Sequence, residues 1–325
     1  MPAKGHLRRS LIAMLDAAVG KLAALGLRSL RRFDRKRTAD FAGRFLRQIG
    51  PWLPEHKVGR TNLQAAYPEK SPAEVEQILR GVWDNLGRFG AEFAHLDRLT
   101  IHDPRDPKPC DIEFDHETRV RFETIRDSGK PVLMFAAHLG NWELPALVAH
   151  HYGLKVSVLY RRPNLPSVAD AVVDMRAGCM GTLVASGTEA PFVLAKALEE
   201  GGVAGMLVDQ HDRRGVDVEF FGRAARTSAL IARLARQVDC PIQGVRVIRL
   251  PDNRFRIELT ERIAAARAAS GEIGIEGTMQ AITSVIESWV REHPEQWLWL
   301  HQRWRAHEIH PREKYRQALA VGRQS

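Results

Sequence analysis

The chain has 325 residues, 44% of them hydrophobic, so it is long enough to bury a sizeable core. Its formal net charge is +9, and the basic excess lies in residues 1–60, where 14 Lys or Arg accompany 4 Asp or Glu. Three widely spaced cysteines (Cys110, Cys179, Cys240) fit neither a disulfide framework nor a metal-ligand pattern, which indicates a reducing compartment. The basic charge predicts an anionic partner for the N-terminal part: a membrane surface, an acidic protein or nucleic acid.

The first 60 residues are predicted to form a basic helical module. Between Leu11 and Leu30, apolar side chains recur on one side of a helix, and Lys21 and Arg28 fall on the other side. Asp16 and Lys21 make a membrane-spanning helix costly, and no convincing cleavage site for a signal peptide follows. We expect this helix to lie on an anionic lipid surface, with an ordinary surface helix packed on the protein as the alternative.

From residue 61 onward, short apolar runs alternate with helix-like segments. Ser71–Glu74 has the pattern of a capping box with Pro at the first helical position, and the helix it starts should continue towards Leu99. Further helices are predicted over 116–128, 144–150, 168–180, 188–200, 226–238 and 276–292, and strands over 132–137, 154–160, 203–208, 241–250 and 254–260, the last two as an antiparallel hairpin. This order predicts an α/β fold with a mixed central sheet flanked by helices. We divide the chain into the N-terminal module (1–60), a main domain (61–310) and a polar tail (311–325).

The most informative stretch runs from Val132 to Glu143 and reads Val-Leu-Met-Phe-Ala-Ala-His-Leu-Gly-Asn-Trp-Glu. Its apolar strand ends at His138, where open α/β sheets place their ligands, and Glu143 begins a helix about one turn later. This spacing lets the Glu143 carboxylate fold back onto one imidazole nitrogen, which leaves the other nitrogen free to accept a proton. Activation of a hydroxyl nucleophile requires such an oriented base. The sequence therefore predicts His138 as a general base and Glu143 as its orienting group.

Polar residues also follow the other predicted strands. Arg161 and Arg162 follow the strand that ends at Tyr160, and guanidinium groups in this position can clamp a phosphate. Asp209 and Gln210 follow the strand at 203–208. No nucleophile elbow, phosphate-binding loop, dinucleotide glycine fingerprint or zinc helix occurs in the sequence, which removes the commonest rival enzyme classes.

Several of these motifs resemble those of one enzyme family. The stretch from His138 to Glu143 is similar to the His-x4-Asp/Glu motif of glycerolipid-type acyltransferases, and its His-Leu-Gly-Asn-Trp-Glu form resembles the lipid A biosynthesis (lauroyl and myristoyl, or late) acyltransferases. Further stretches resemble the same family: Tyr160-Arg-Arg-Pro-Asn164, Asp209-Gln210, Phe220-Phe-Gly222 and the segment from Pro294 to Arg305.

The resemblance implies a glycerolipid acyltransferase-like fold whose main domain transfers a fatty acyl chain from acyl carrier protein to a hydroxyl of a lipid A precursor. Beside His138 and Glu143 it implies a substrate-binding set of Asn141, Arg161, Arg162, Arg176, Asp209 and Gln210. We expect no metal and no cofactor, since the acyl carrier protein thioester is a co-substrate. The expected location is the cytoplasmic face of the inner membrane, on anionic lipids.

Three questions stay open at this stage. The same His-Glu pair fits a glycerophospholipid (lysophosphatidate-type) or other lipid acyltransferase with a different acceptor. A basic membrane-surface or nucleic-acid binding protein would explain the charge without using the pair, although few aromatics interrupt the basic stretch and we expect no nucleic acid partner. The donors to the oxyanion, either backbone N–H groups near Gly140 or an arginine, are not decided, nor are the acyl chain length, the acylated hydroxyl and the oligomeric state.

Overall fold

The computed structural model describes residues 21, 25–26, 29–103, 108–162 and 166–304. Its helices are α1 (Arg35–Ile49), α2 (Pro54–Ala66), α3 (Pro72–Phe93), α4 (His116–Ser128), α5 (Leu144–His151), α6 (Pro166–Ala177), α7 (Ala190–Glu199), α8 (Leu230–Val238) and α9 (Ile275–Glu292). Its strands are β1 (Ile112–Phe114), β2 (Val132–Ala136), β3 (Val156–Tyr160), β4 (Thr182–Ala185), β5 (Val203–Leu207), β6 (His211–Phe220), β7 (Arg223–Thr227), β8 (Ile242–Leu250) and β9 (Arg254–Arg262).

The strands build a seven-stranded sheet, ordered β1-β9-β8-β2-β5-β3-β4, and a separate ribbon of β6 and β7. Neighbours in the larger sheet are parallel except β8 and β9, which form the predicted antiparallel hairpin. Side chains of β2 alternate between the two faces, so that Leu133 and Phe135 enter one apolar core and Met134 and Ala136 the other. Helices cover both faces, which confirms the predicted α/β fold with a mixed central sheet.

Local chemistry explains where the predicted elements begin and end. The capping box at Ser71 is present, since the Ser71 hydroxyl accepts from the Glu74 N–H and the Glu74 carboxylate accepts from the Ser71 N–H. Helix α4 has its predicted bounds, because Asp115 caps its N-terminus and Gly129 ends it in a left-handed conformation. Helix α3 ends at Phe93 instead of continuing to Leu99 and is followed by a short 3-10 turn.

One predicted helix start is wrong. The residues before 230 were expected to open the helix that ends at Val238, but Arg223–Thr227 is strand β7 and α8 begins at Leu230. The Thr227 side chain is not a helix cap, because its hydroxyl donates 2.5 Å to the carbonyl oxygen of Val208. Strand β7 instead pairs with β6, and this ribbon was not predicted.

The N-terminal prediction falls largely outside the described residues. Of the amphipathic helix expected between Leu11 and Leu30, the structure describes only residues 21, 25, 26, 29 and 30. Helix α1, which follows, lies along α3, where Arg88 forms ion pairs with both Asp40 and Asp84. Among the described residues, no helix combines the length and apolar character needed to cross a bilayer. The proposed domain boundaries stay predictions, and the tail at 311–325 is not described.

Candidate active site

Parallel pairing of two central strands brings the site together. Strands β2 and β5 are adjacent and in register, with Ala136 opposite Leu207. His138 and Asp209 therefore leave the sheet at the same carboxyl edge, each two residues beyond the end of its strand. This is the edge at which parallel α/β sheets bind ligands.

The carboxylate that contacts His138 belongs to Asp209. Its Oδ1 lies 2.8 Å from the imidazole Nδ1, and its Oδ2 accepts the His138 backbone N–H at 2.8 Å. The indole N–H of Trp297 donates to the same Oδ2 at 2.7 Å. Burial alone would raise the pKa of the Asp209 carboxyl, but the charge and hydrogen bonds of His138 outweigh burial and hold this pKa well below its usual range. Asp209 is therefore an ionised, buried acceptor.

These contacts define the proton arrangement of His138. Because the ionised Asp209 only accepts hydrogen bonds, Nδ1 carries a proton, and in the neutral form of the ring Nε2 therefore carries the lone pair. The amide nitrogen of Gln210 lies 3.2 Å from Nε2, where it donates to that lone pair. Nε2 is thus available as a base, and another donor can replace the Gln210 amide at this nitrogen.

Glu143 does not contact the imidazole, so the predicted Glu143–His138 hydrogen bond is wrong. Both Glu143 carboxylate oxygens instead receive hydrogen bonds from Arg176, from Nε at 2.9 Å and from Nη2. A guanidinium offers two parallel N–H groups that match both carboxylate oxygens, whereas the imidazole N–H matches only one. The rings of Phe93 and Tyr160 lie 5.5 and 5.9 Å from the Arg176 guanidinium and enclose this ion pair.

The loop between His138 and Glu143 has a fixed shape. Gly140 adopts φ +59°, and a Cβ at this position would lie 2.6 Å from the Val247 carbonyl oxygen. The Asn141 side chain donates to the buried Glu92 at 3.0 Å and accepts from the Glu143 N–H at 3.3 Å. Asn141 is completely buried. The Asn141 side chain therefore holds the loop, and its binding of substrate stays a prediction.

The two predicted phosphate-binding arginines have different positions. Arg161 lines the cavity beside His138 and is exposed to solvent. Arg162 is not part of the cavity lining and forms an exposed ion pair with Asp170 at 3.1 Å. Of the pair, the structure brings only Arg161 to the cavity.

A cavity of about 420 Å³ is lined by His138 and by Gln210, the residue whose amide contacts Nε2. Its walls are largely apolar and come from β2, β3, β5 and α5, with polar groups from His138, Glu143, Arg176 and Gln210 among them. A largely apolar cavity with a few convergent polar groups is typical of a small-molecule or lipid-chain site. In the described part of the chain, no group of three or more His, Cys, Asp or Glu side chains is placed to hold a metal ion.

Two site residues escaped the sequence analysis. Trp297 lies in the segment from Pro294 to Arg305, which the sequence analysis singled out without giving this residue a role, and its indole N–H holds Asp209. Glu92 is fully buried, is paired with Arg249 and accepts from Asn141. A glutamate on an apolar helix face was the available signal for Glu92, because such a carboxylate needs a buried partner.

Comparison with protein families agrees with the geometry. The model of the bacterial lipid A biosynthesis acyltransferases matches residues 5–306. No individual curated protein gives a significant match. Since the family match covers most of the chain, the protein belongs to the bacterial lipid A biosynthesis acyltransferases and is an acyltransferase.

Proposed function

We propose that the chain transfers a fatty acyl group from an acyl carrier protein thioester to a hydroxyl group of a lipid A precursor. His138 is the general base, and Asp209 rather than Glu143 orients it. The observation that carries this proposal is the Asp209–His138 hydrogen bond at Nδ1, which leaves Nε2 on the side of Gln210, a residue that lines the largely apolar cavity together with His138. No serine or cysteine nucleophile is recognisable in the motifs, so we propose direct transfer without an acyl-enzyme.

The proton path follows from the contacts of His138. The acceptor hydroxyl replaces the Gln210 amide at Nε2 and gives its proton to that nitrogen as its oxygen attacks the thioester carbonyl. A C–O bond forms and the carbonyl oxygen becomes an oxyanion. When the intermediate collapses, the C–S bond breaks and the leaving sulfur takes the proton from Nε2. Asp209 stabilises the imidazolium that exists between these two proton transfers.

Glu143 and Arg176 have a supporting role in this proposal. Their ion pair forms part of the cavity wall, and Glu143 fixes the direction of the guanidinium. Arg161, exposed at the cavity, is the group best placed to pair with a phosphate of the acceptor. The apolar remainder of the cavity suits an acyl chain, since each buried methylene contributes about 0.8 kcal/mol.

We also propose that α1 and the following turn rest on the anionic inner membrane at its cytoplasmic face. Six of the nine exposed large hydrophobic side chains among the described residues lie between positions 25 and 53. Phe41 and Phe45 stack on the exposed face of α1, Trp52 is 82% exposed, and Arg37 and Arg44 lie on the same helix face as the two phenylalanines. Aromatic rings beside cations suit a bilayer interface with anionic headgroups.

The test of acyl transfer uses purified full-length chain. It is mixed with a tetra-acylated lipid A precursor bearing sugar acid and with acyl carrier protein carrying chains of different length, and the products are weighed by mass spectrometry. The expected result is a gain of one acyl chain that is lost in His138→Ala and retained in His150→Ala, a control at an exposed histidine of α5. Transfer to lysophosphatidate but not to the lipid A precursor would replace the acceptor that we propose.

Membrane docking has its own test. Phe41→Ser with Phe45→Ser should reduce co-sedimentation with vesicles containing anionic lipid, and Phe192→Ser, at an equally exposed phenylalanine on α7, should not. Equal loss of binding in both variants, or no loss in either, contradicts docking through α1.

A further inference from the structure

A second imidazole, that of His301, lies beside the His138–Asp209 pair. Its ring centroid is 6.2 Å from that of His138 and 5.6 Å from that of Trp297, the residue that donates to Asp209. The segment is held from α2, where the Asn62 amide donates to the carbonyl oxygens of Trp299 at 2.8 Å and of His301 at 2.7 Å. His301 is therefore fixed at the reacting centre although it comes from the far end of the described chain.

Both ring nitrogens of His301 are shielded from solvent, and neither makes a hydrogen bond of normal geometry, although the backbone of Leu298 interacts with the ring and raises its pKa. Buried polar atoms are nearly always paired, and each unpaired one costs about 1–3 kcal/mol. The imidazole thus lies next to the base of the reaction without a hydrogen bond of normal geometry. Such an arrangement indicates that its partner arrives with the substrate.

The protonation state of His301 is set by its surroundings. Burial lowers its pKa to about 4; the charges of His138 and Arg303 act in the same direction, and Asp209 opposes them. The ring is therefore neutral at neutral pH and carries one N–H. A neutral imidazole can donate to a developing oxyanion without supplying a competing acidic proton, as in other enzymes that polarise a carbonyl this way.

Several other donors near the site are already engaged. The N–H groups of Leu139 and Gly140 donate to the carbonyl oxygens of Ala137 and Gln296 at 2.7 and 3.0 Å. Arg176 directs Nε and Nη2 to Glu143. These N–H groups of the loop and of Arg176 already have acceptors, whereas the His301 ring makes no hydrogen bond of normal geometry.

We propose that His301 is a catalytic residue that donates its N–H to the oxyanion formed on the thioester carbonyl, an inference that rests on the proposed acyl transfer. In this proposal the attacking oxygen sits on Nε2 of His138, and the carbonyl oxygen, one carbon away, comes within reach of the His301 ring, whose centroid lies 6.2 Å from that of His138. Rotation about χ2 of His301 exchanges ring nitrogen and carbon positions at little cost, so the ring can direct its N–H to the oxyanion. The oxyanion then receives its hydrogen bond in a site shielded from water, where such bonds are strongest.

The experiment compares His301→Phe, which removes the donor, with His301→Gln, which keeps an N–H. His301→Phe should lower kcat about 10²–10³-fold with little change in KM for the thioester, and His301→Gln should recover part of this loss. Trp304→Phe is the matched control, since the Trp304 indole N–H is also buried and unpartnered, while its ring packs on Phe220 and the ring contacts of His138 are with Trp142 and His301. A kcat of His301→Phe within about threefold of the original protein, or no recovery in His301→Gln, overturns the proposal.

A binding measurement separates this inference from the proposed reaction, because it needs no acceptor and no turnover. A dodecyl trifluoromethyl ketone hydrates to a tetrahedral species that imitates the intermediate, whereas the matching methyl ketone stays trigonal. The original protein and Trp304→Phe should prefer the fluorinated ketone, and His301→Phe should lose at least about tenfold of this preference. An unchanged preference in His301→Phe refutes the role of His301, even if lipid A precursors prove not to be the acceptors.

Discussion

Asp209→Asn tests which carboxylate orients His138. The Oδ2 position of Asp209 accepts from the backbone N–H of His138 and from the indole N–H of Trp297, and neither donor can become an acceptor. The amide oxygen of the asparagine must therefore occupy this position. Its NH₂ group then faces Nδ1 of His138, so Nδ1 must become the acceptor and the ring proton must move to Nε2. The base would lose the lone pair with which it takes the hydroxyl proton.

The magnitude follows from this change of tautomer. The same exchange in serine hydrolases lowers kcat by about 10⁴, so we expect a loss of about 10³–10⁴ here, equivalent to about 4–5.5 kcal/mol in the barrier. Stability should fall much less, by about 1.5–3 kcal/mol, because the side chain keeps its shape and both hydrogen bonds at the Oδ2 position, and only the charge-assisted bond to Nδ1 is lost.

The assay combines kcat for acyl transfer with nitrogen NMR of the His138 ring. The original protein should show Nδ1 protonated and Asp209→Asn should show Nε2 protonated, whereas Glu143→Gln should leave the tautomer unchanged because Glu143 bonds Arg176. The reasoning is refuted if Asp209→Asn keeps kcat within about tenfold, or if Glu143→Gln moves the ring proton and Asp209→Asn does not.

Three further predictions concern stability. Gly140→Ala should destabilise the fold by about 2–4 kcal/mol, seen as a lower Tm, because a Cβ would meet the Val247 carbonyl oxygen at positive φ; an unchanged Tm would mean that the loop can relax. Arg176→Met should cost about 3–5 kcal/mol in denaturant unfolding by leaving Glu143 buried without its partner, and adding Glu143→Leu should restore most of it; no recovery would show that the pair is not the cause. The pKa of His301 is about 4 in the folded protein, below its ordinary 6.5, so this residue should not reduce the free energy of unfolding above pH 6.5 but should reduce it by about 3 kcal/mol as the pH falls towards 4. His301→Gln should make this pH dependence weaker. Equal slopes in the two proteins would contradict the prediction.

The sheet was largely predictable because its central strands are short apolar runs bounded by turn residues. Val132–Ala136 and Val203–Leu207 are of this kind, and the turn residues Pro-Asp-Asn at 251–253 indicate the hairpin of β8 and β9. The β6–β7 ribbon was missed because β6 begins His-Asp-Arg-Arg and carries no continuous apolar run. Its pairing depends on contacts made after the chain folds, including the hydroxyl of Thr227, which sequence pattern does not report.

Within the site, the sequence indicated which residues lie close together but gave the wrong hydrogen-bond partner for Glu143. His138 and Asp209 follow adjacent parallel strands, so their meeting is a consequence of topology. Glu143 is near enough to His138 in sequence to reach it, but Arg176, 33 residues further on, offers the better match to a carboxylate. Spacing in the sequence shows only that two side chains are able to reach each other. A competing partner from another helix, here Arg176, is seen only in the three-dimensional structure.

The contact between Trp297 and Asp209 also means that the site can be completed only late in protein synthesis. These two residues are 88 positions apart, which corresponds to roughly 4–18 s of translation at 5–20 residues per second. During that interval the strands that precede His138 and Asp209 can already pair. The Asp209 carboxylate still lacks its third hydrogen bond, from Trp297, and His301 has not yet been synthesised. A ribosome-bound chain therefore holds an incomplete base, and transfer activity should begin only when the segment that ends at Trp304 has emerged and docked.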